Sequence, residues 1–361
     1  MVFAPWYADV QEKAPEVAPT EVSKYEAAAT RHWGILKDYE HPIRYADAGV
    51  ASSTSELFSH INCKTIPDFF EKAVEQHGDK PAMRVERPCP EVVPIKDEVT
   101  GKVKGWRADP SLPVDQWKTW TYAEYLADVK RAARAMMACG VEQFDSVNIF
   151  GFNSPEWFIS DLGAIFCGAK AAGIYPTDTP EQASYKCLHS DAKVVIVEDQ
   201  GKIDKFAERI NELPQLNAIV IWGGAPKQAS IARSDGSKVP VYEWGAFLQL
   251  SSKVTEVALR SRMAAIKAGH CCTLIYTSGT TGNPKAVMIS HDNIAFEAGS
   301  VLHMIKDVFG NQVTDTVAVE ATVAVRCGYA RPLLTTVPRS LNRSGSFRIC
   351  RCRTWRAPWS T

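Results

Sequence analysis

From Thr121 onward the chain settles into a regular alternation of short apolar runs and helix-forming stretches. Ser146–Phe150 (SVNIF), Ala171–Tyr175, Lys193–Val197 (KVVIV) and Asn217–Trp222 are the apolar runs, each of strand length and each rich in Val, Ile or Ala. Runs of this kind with little polar alternation are strands covered on both faces. Between them stand helix-start signals. Thr121-Tyr-Ala-Glu124 is a capping box, and Gly140 ends the helix that it opens. Ser154-Pro155-Glu156 and Thr179-Pro180-Glu-Gln182 place proline in a first turn, where its missing N–H costs nothing. A further helix is expected around 202–212. Strands alternating with helices predict an α/β fold, layered, with mostly parallel sheets and helices on both faces.

Upstream the pattern is weaker. Residues 1–60 are polar, with prolines at 5, 15, 19 and 42, and read as an N-terminal extension. Folding begins at Thr65-Ile-Pro-Asp68, where Thr65 caps a helix running to about His77. Residues 87–118 hold five prolines and two glycines among short β-like runs, which predicts a hairpin or a long loop. No solenoid-type repeat is present.

Composition changes this picture in two places. The 361 residues are 45% hydrophobic, enough for a substantial core, and the formal net charge is zero. That zero hides an asymmetry. Eight of the 41 basic residues are arginines after Glu320, and none of the 41 acidic residues lies there, so residues 1–320 carry a net charge of −8. Nothing here points to nucleic acid. Residues 317–361, which after Glu320 hold arginine but no lysine, no acid and no amphipathic period, have the composition of an out-of-frame or alternatively spliced reading. A basic, anionic-lipid-binding tail is the other reading. The ten cysteines include no CxxC pair and no zinc-finger spacing. Those in apolar runs, such as Cys139 and Cys167, read as reduced structural thiols of a cytosolic protein. The N-terminus lacks the pattern of a signal peptide, and the longest apolar stretch, Leu162–Cys167, is too short to span a bilayer. Membrane contact is therefore expected to be peripheral.

The candidate chemistry lies in Leu274–Ile289. Within 277–285 stand four hydroxyl side chains (Thr277, Ser278, Thr280, Thr281), two glycines (Gly279, Gly282), then Asn283, Pro284 and Lys285. Glycines let a tight turn present N–H groups inward, hydroxyls donate to phosphate oxygens, and Lys285 adds a mobile charge. Such a loop suits a polyphosphate. It is not a Walker A loop, which needs Gly-Lys-Ser/Thr leading into a helix; here Pro284 precedes the lysine and an apolar run, AVMI, follows it. The order expected is strand–loop–strand. An ordinary hairpin loop is the plain alternative, but it predicts scattered Asn or Asp and no lysine at the exit.

YTSGTTGNPK (276–285) resembles the phosphate-loop signature of the acyl-adenylate-forming (AMP-dependent) synthetase and ligase superfamily. That superfamily includes acyl-CoA synthetases, luciferases and the adenylation domains of peptide synthetases. The likeness continues into Ser290-His291-Asp292-Asn293. Gly151–Phe158, Gly173–Pro176 and Asp191–Gln200 are similar to the bubblegum-type long-chain fatty acyl-CoA synthetases. It covers roughly 61–315. Ala286 departs from the family's usual glycine, and its methyl is cheap only if φ there is negative.

The resemblance implies an enzyme that activates a long-chain fatty acid with ATP to acyl-AMP, then transfers the acyl group to coenzyme A. Residues 277–285 are implied to bind the ATP phosphates, with Lys285 stabilising departing pyrophosphate and Mg²⁺ bridging phosphate oxygens. The implied setting is cytoplasmic, peripheral to the endoplasmic reticulum membrane. On this reading 61–316 is part of the large N-terminal AMP-binding domain. The aromatic-Gly-x-Thr-Glu and Gly-Asp motifs, and the small C-terminal lid with its lysine, do not occur in the 361 residues. The chain alone is then expected to be inactive; the alternative is a non-catalytic truncated isoform that binds nucleotide or a partner.

Lesser candidates have plainer readings. His189 sits at a helix end beside Asp191 and is expected in a solvated last turn. Cys271 and Cys272, being adjacent on a strand, point to opposite faces and into core. Glu198 and Asp199 are expected at a strand end, facing solvent. Cys350 and Cys352 matter only if the basic segment is native.

Overall fold

The structure, a computed structural model, describes residues 65–87, 92–98, 100–108, 112–277, 283–309 and 347–348. The expected extension over 1–60 and nearly all of the basic segment 317–361 lie outside the described residues.

Helix starts follow the local chemistry of the sequence. In α1 (Ile66–His77) the Asp68 N–H donates to Thr65 Oγ1 at 3.3 Å, and the Thr65 N–H donates to Asp68 Oδ2 at 3.2 Å. In α2 (Tyr122–Ala138) Thr121 and Glu124 make the same reciprocal pair, at 2.8 and 3.2 Å. Gly140, just past this helix, has φ +84°, the left-handed conformation that ends helices at least cost on glycine. In α3 (Pro155–Phe166) Ser154 Oγ accepts from the Trp157 N–H at 3.1 Å. In α4 (Pro180–His189) Thr179 and Gln182 form a third box.

Short strands assemble between these helices. β1 (Pro81–Val85) pairs antiparallel with β4 (Lys118–Thr121), and the two-residue β13 (Phe347–Arg348) adds parallel to β1. The proline-rich stretch 87–118 does hold a hairpin, β2 (Val92–Lys96) against β3 (Val103–Ala108). Its turn is tied by Asp97, whose Oδ1 accepts from the Thr100 N–H at 2.9 Å.

The main sheet has eight strands. β5 (Ser146–Phe150) is flanked by β6 (Lys170–Ile174) and β7 (Ala192–Val197), both parallel to it, with Val147 opposite Ala171 and Val194. Beyond β7 lie β8 (Ala218–Ile221) and β10 (Lys238–Glu243), also parallel, then antiparallel β9 (Ser230–Ala232). Beyond β6 lies parallel β11 (Cys271–Thr277), then antiparallel β12 (Lys285–Ser290). The order is β12-β11-β6-β5-β7-β8-β10-β9. Parallel neighbours need crossover helices, and these cover both faces.

One face packs on α1, α2 and α3, with α6 (Trp244–Gln249) and α7 (Glu256–Ala264); Val147, Ile149, Val194 and Ile196 meet Val129, Ala132, Phe166, Phe247 and Leu259 there. On the other face Phe150, Val195, Val197 and Ile219 meet Ala183 and Cys187 of α4, and Ile203 and Phe206 of α5 (Gln200–Glu208). Each large buried side chain contributes about 1.5–3 kcal/mol relative to exposure. The fold is thus the layered α/β architecture expected, with antiparallel strands confined to the sheet's two edges. No described helix is long and apolar enough to cross a membrane.

Two boundaries moved for physical reasons. The strand expected at 171–175 begins at Lys170 and ends at Ile174. Lys170 joins it by pairing with Ser146, its backbone N–H donating to the Asp145 carbonyl at 2.8 Å and its buried ammonium to the Phe144 carbonyl, whereas Tyr175 leaves the sheet and is exposed. The helix expected at 202–212 starts earlier, because Asp199 caps it by accepting from the Lys202 N–H at 3.1 Å; a 3₁₀ turn at Ile210–Glu212 follows its end.

Candidate functional site

The parallel strands all end at the same edge of the sheet, so the segments after β5, β6, β7, β8 and β11 gather there. In open α/β sheets ligands bind outside the carboxyl ends of the strands. The segment after β11 is the loop singled out by its sequence. β11 and β12 pair antiparallel as its stem, with Thr277 opposite Lys285 and Tyr276 opposite Ala286. The order is strand–loop–strand, as expected. Lys285 is the first residue of β12, and the next helix, α8 (His291–Phe309), begins only after that strand ends. Thr277 Oγ1 donates to the Lys285 carbonyl at 3.5 Å, closing the neck. Thr277, Asn283 and Lys285 are exposed and Pro284 is half-buried. Ser278, Gly279, Thr280, Thr281 and Gly282 lie outside the described residues. The methyl of Ala286 packs against the cluster of Ala172, Leu274 and Tyr276, and φ there is not positive, so this departure from glycine is accommodated.

Beneath the neck lies α4, and its last two turns contribute residues that the sequence reading passed over. The Tyr185 hydroxyl donates to the Pro284 carbonyl at 3.3 Å. The Tyr276 hydroxyl donates to the Lys186 carbonyl at 3.2 Å, and His189 Nδ1 lies 3.0 Å from the same phenol oxygen. His189 is therefore not simply solvated. It does end its helix, but it stacks on Tyr185 (5.2 Å, 24°) and meets Tyr276 edge-on (5.7 Å, 64°). Burial holds its pKa below the ordinary value and pushes the Tyr276 phenol well up. Lys186, also buried, pairs with Asp178 Oδ2 at 2.5 Å, its ammonium 5.3 and 5.6 Å from the ring centres of Tyr175 and Tyr276. The available signal was a tyrosine and a histidine four residues apart, hence on one helix face.

Glu198 corrects a second expectation, whereas Asp199 meets it. Asp199 is exposed, as a helix cap should be, but Glu198 is only 8% exposed. It accepts from the Phe152 N–H at 3.2 Å and pairs with Lys202 Nζ at 3.3 Å, and Lys202 also reaches Asp199 at 2.6 Å. The site lies between the ends of β5 and β7, where the following helices diverge to opposite faces. Close approach there explains the glycines: a Cβ on Gly151 would lie 2.5 Å from the Trp222 ring, and one on Gly223 would lie 2.1 Å from the Glu198 carbonyl oxygen. This group braces the strand ends. Cys271 and Cys272 point into opposite cores, as expected of neighbours on a strand.

The described donor left open at the neck, the Lys285 ammonium at the carboxyl edge, suits phosphate oxygens, and the Thr277 hydroxyl would have to turn from the Lys285 carbonyl to join it. Among the described residues no group of three His, Cys, Asp or Glu is arranged to hold a metal ion. A Mg²⁺ carried in by polyphosphate keeps most of its ligands as phosphate oxygen and water, so a dedicated protein cage is not needed.

Comparison with known proteins bears on the family and the fold. Residues 70–337 match the family described as AMP-binding enzyme, a stretch that runs into the basic segment. The long-chain-fatty-acid–CoA ligase ACSBG2 of Xenopus laevis is 31% identical over 292 residues, covering 79% of this chain and 34% of that protein. The long-chain-fatty-acid–CoA ligase ACSBG1 of Homo sapiens is 39% identical over 184 residues, 51% of this chain and 24% of that protein. The chain thus spans about a third or less of these relatives' lengths. Among solved structures, the A-PCP didomain of carboxylic acid reductase from Segniliparus rugosus, in complex with AMP, shares the fold with a TM-score of 0.50 at 19% identity. It covers 79% of this chain and 38% of that one. A family match over about three quarters of the sequence, on a parallel sheet whose edge carries the Thr277–Lys285 neck, makes this chain a member of the AMP-binding enzyme family.

Proposed function

We propose that this chain is the phosphate-binding portion of an AMP-forming long-chain fatty acid–CoA ligase. The observation that carries the reading is the hairpin neck, which sets Lys285 in the open at the carboxyl edge of the sheet with Thr277 opposite it. The names of the relatives supply the substrate class.

In the reaction the fatty acid carboxylate oxygen attacks the α-phosphorus of ATP. The bond to the β-phosphate oxygen breaks, leaving acyl-AMP and pyrophosphate. The thiolate of coenzyme A then attacks the acyl carbon and expels AMP. Residues 277–285 act on the first step. Glycine-allowed backbone N–H groups and hydroxyls hold the β- and γ-phosphates in line, and the Lys285 ammonium stabilises the charge that grows on departing pyrophosphate. A Mg²⁺ arriving with the nucleotide would offset phosphate charge, its ligands being oxygens of the nucleotide and water. Thr277 is placed to orient rather than to carry charge.

The test has two arms. Lys285→Ala, in a protein able to adenylate, is expected to slow ATP–pyrophosphate exchange on the order of 100- to 1000-fold with the fold intact. Unchanged exchange would remove Lys285 from the assignment. In the second arm the 361-residue chain is assayed for palmitate-dependent AMP and acyl-CoA with ATP, Mg²⁺ and coenzyme A. Adenine, ribose and lid contacts act as one unit with the phosphate loop, and loss of part of such a unit removes almost all rate. No turnover is therefore expected from this chain alone. Binding of MgATP without turnover is what a non-catalytic nucleotide-binding isoform would also show, and a discrete 361-residue product in cells would favour that second reading.

A further inference from the structure

The parallel sheet does not require α4 to touch the hairpin neck, yet it does so on both sides. Tyr276 is the residue before Thr277, and Pro284 is the residue before Lys285. The Tyr276 phenol has one hydrogen and gives it to the Lys186 carbonyl at 3.2 Å. The His189 imidazole Nδ1 lies 3.0 Å from the same oxygen, within hydrogen-bond reach. Tyr185, stacked on His189, donates to the Pro284 carbonyl at 3.3 Å. A proline has no N–H for the ladder, so its carbonyl is the one polar backbone handle at that position. The three rings thus form a continuous path from the last turns of α4 to the backbone on each side of the loop. The contacts span 87 to 99 residues of sequence, so they are tertiary and not a by-product of helix or hairpin formation.

We propose that Tyr185, His189 and Tyr276 are positioning residues for a nucleotide's phosphates: they set the spacing of the hairpin's two ends, and so of the Thr277 hydroxyl and the Lys285 ammonium, before ligand arrives. The inference rests on the phosphate-binding reading above. Its physical basis is preorganisation. Donors held in place in the free protein lose less freedom on binding, and the saving appears as affinity.

A structural role alone predicts that loosening the rings lowers the melting temperature and leaves the affinity of the folded molecules unchanged. The experiment measures calorimetric binding of MgATP and of magnesium tripolyphosphate, which shares the phosphates but lacks the base, to the 361-residue chain. The variants are Tyr185→Phe, His189→Leu and His189→Asn, the last keeping a hydrogen-bonding group where Nδ1 stood. Tyr185→Phe is expected to weaken both ligands about five- to tenfold, the loss of one hydrogen bond's positioning. His189→Leu is expected to do the same, and His189→Asn to restore most of the affinity. If wild type binds both ligands and Tyr185→Phe and His189→Leu bind them equally well, the positioning role is overturned while phosphate binding stands. A wild-type chain that binds neither ligand overturns both. Should His189→Leu fail to fold, Tyr185→Phe removes a single oxygen and decides the matter by itself.

Discussion

The described cysteines show how burial converts a reactive side chain into packing. Cys139, Cys167, Cys187, Cys271 and Cys272 are all free thiols, and four of them are fully buried. Burial disfavours the thiolate, pushing the pKa of Cys139 and Cys271 up to about 11 and that of Cys167 to about 12, with Cys187 raised as well. Since the thiolate is the nucleophile, these groups should be inert in the folded protein. At pH 8, iodoacetamide is expected to modify these five at least about 100-fold more slowly in the native chain than in denaturant. Peptide mapping by mass spectrometry checks this residue by residue, and rapid native labelling of Cys167 or Cys187 would contradict the core packing described. Lys285 is the contrasting case: an exposed charge at a strand start, held out where a phosphate can reach it.

At the scale of elements, the capping boxes at α1, α2 and α4 explain why these helices begin where they do. Each satisfies two backbone N–H groups with side chains three residues apart, so none needs a tertiary contact to close. Thr121→Ala removes the acceptor for the Glu124 N–H and leaves the helix body untouched. The expected loss is about 1 kcal/mol, read from urea unfolding as a lower midpoint with an unchanged slope. A change in slope would mean that the cap also shapes the unfolded ensemble. The hairpin β11–β12 is the opposite kind of element. Its pairing is local, but its position depends on Tyr185 and His189 in α4, which no rule of spacing within the hairpin specifies.

At the scale of the molecule, His291 joins the two ends of the described domain. It is 2% exposed, and its Nδ1 accepts from the Ile66 N–H at 3.2 Å across 225 residues of sequence. That N–H belongs to the first turn of α1, where helix donors lack partners of their own. The His291 N–H in turn donates to the His270 carbonyl at 3.1 Å, tying the start of α8 to the segment before β11. His291→Leu keeps apolar bulk but leaves the Ile66 N–H buried and unpaired, a cost of about 1–3 kcal/mol. The expected outcome is a melting temperature lower by several degrees, on the order of 2–4 °C per kcal/mol at this size, with faster amide exchange at Ile66. Unchanged exchange at Ile66 would show that water or another acceptor takes the proton.

These scales separate what the sequence by itself determined from what folding decided. The helix starts at Thr65, Thr121, Ser154 and Thr179 were legible because a cap and its partner lie within one turn. The strands β5, β7 and β8 were legible because strands covered on both faces of a parallel sheet are mostly apolar, with Asn148 of β5 accommodated by donating to the Ala172 carbonyl. The strand–loop–strand order around Lys285 followed from the apolar run after it. Two readings failed for a common reason. Glu198 and His189 stand at element ends, where polar residues usually meet water; Lys202, four residues on, is a local partner of Glu198, but only the packing of distant chain brings the Phe152 N–H to Glu198 and Tyr276 to His189. The same holds for the pairing of Tyr185 with Pro284 and of His291 with Ile66. Spacing along a chain records interactions within a turn or a strand pair, whereas contacts across 46 to 225 residues depend on the sheet order, which decides which loops share an edge.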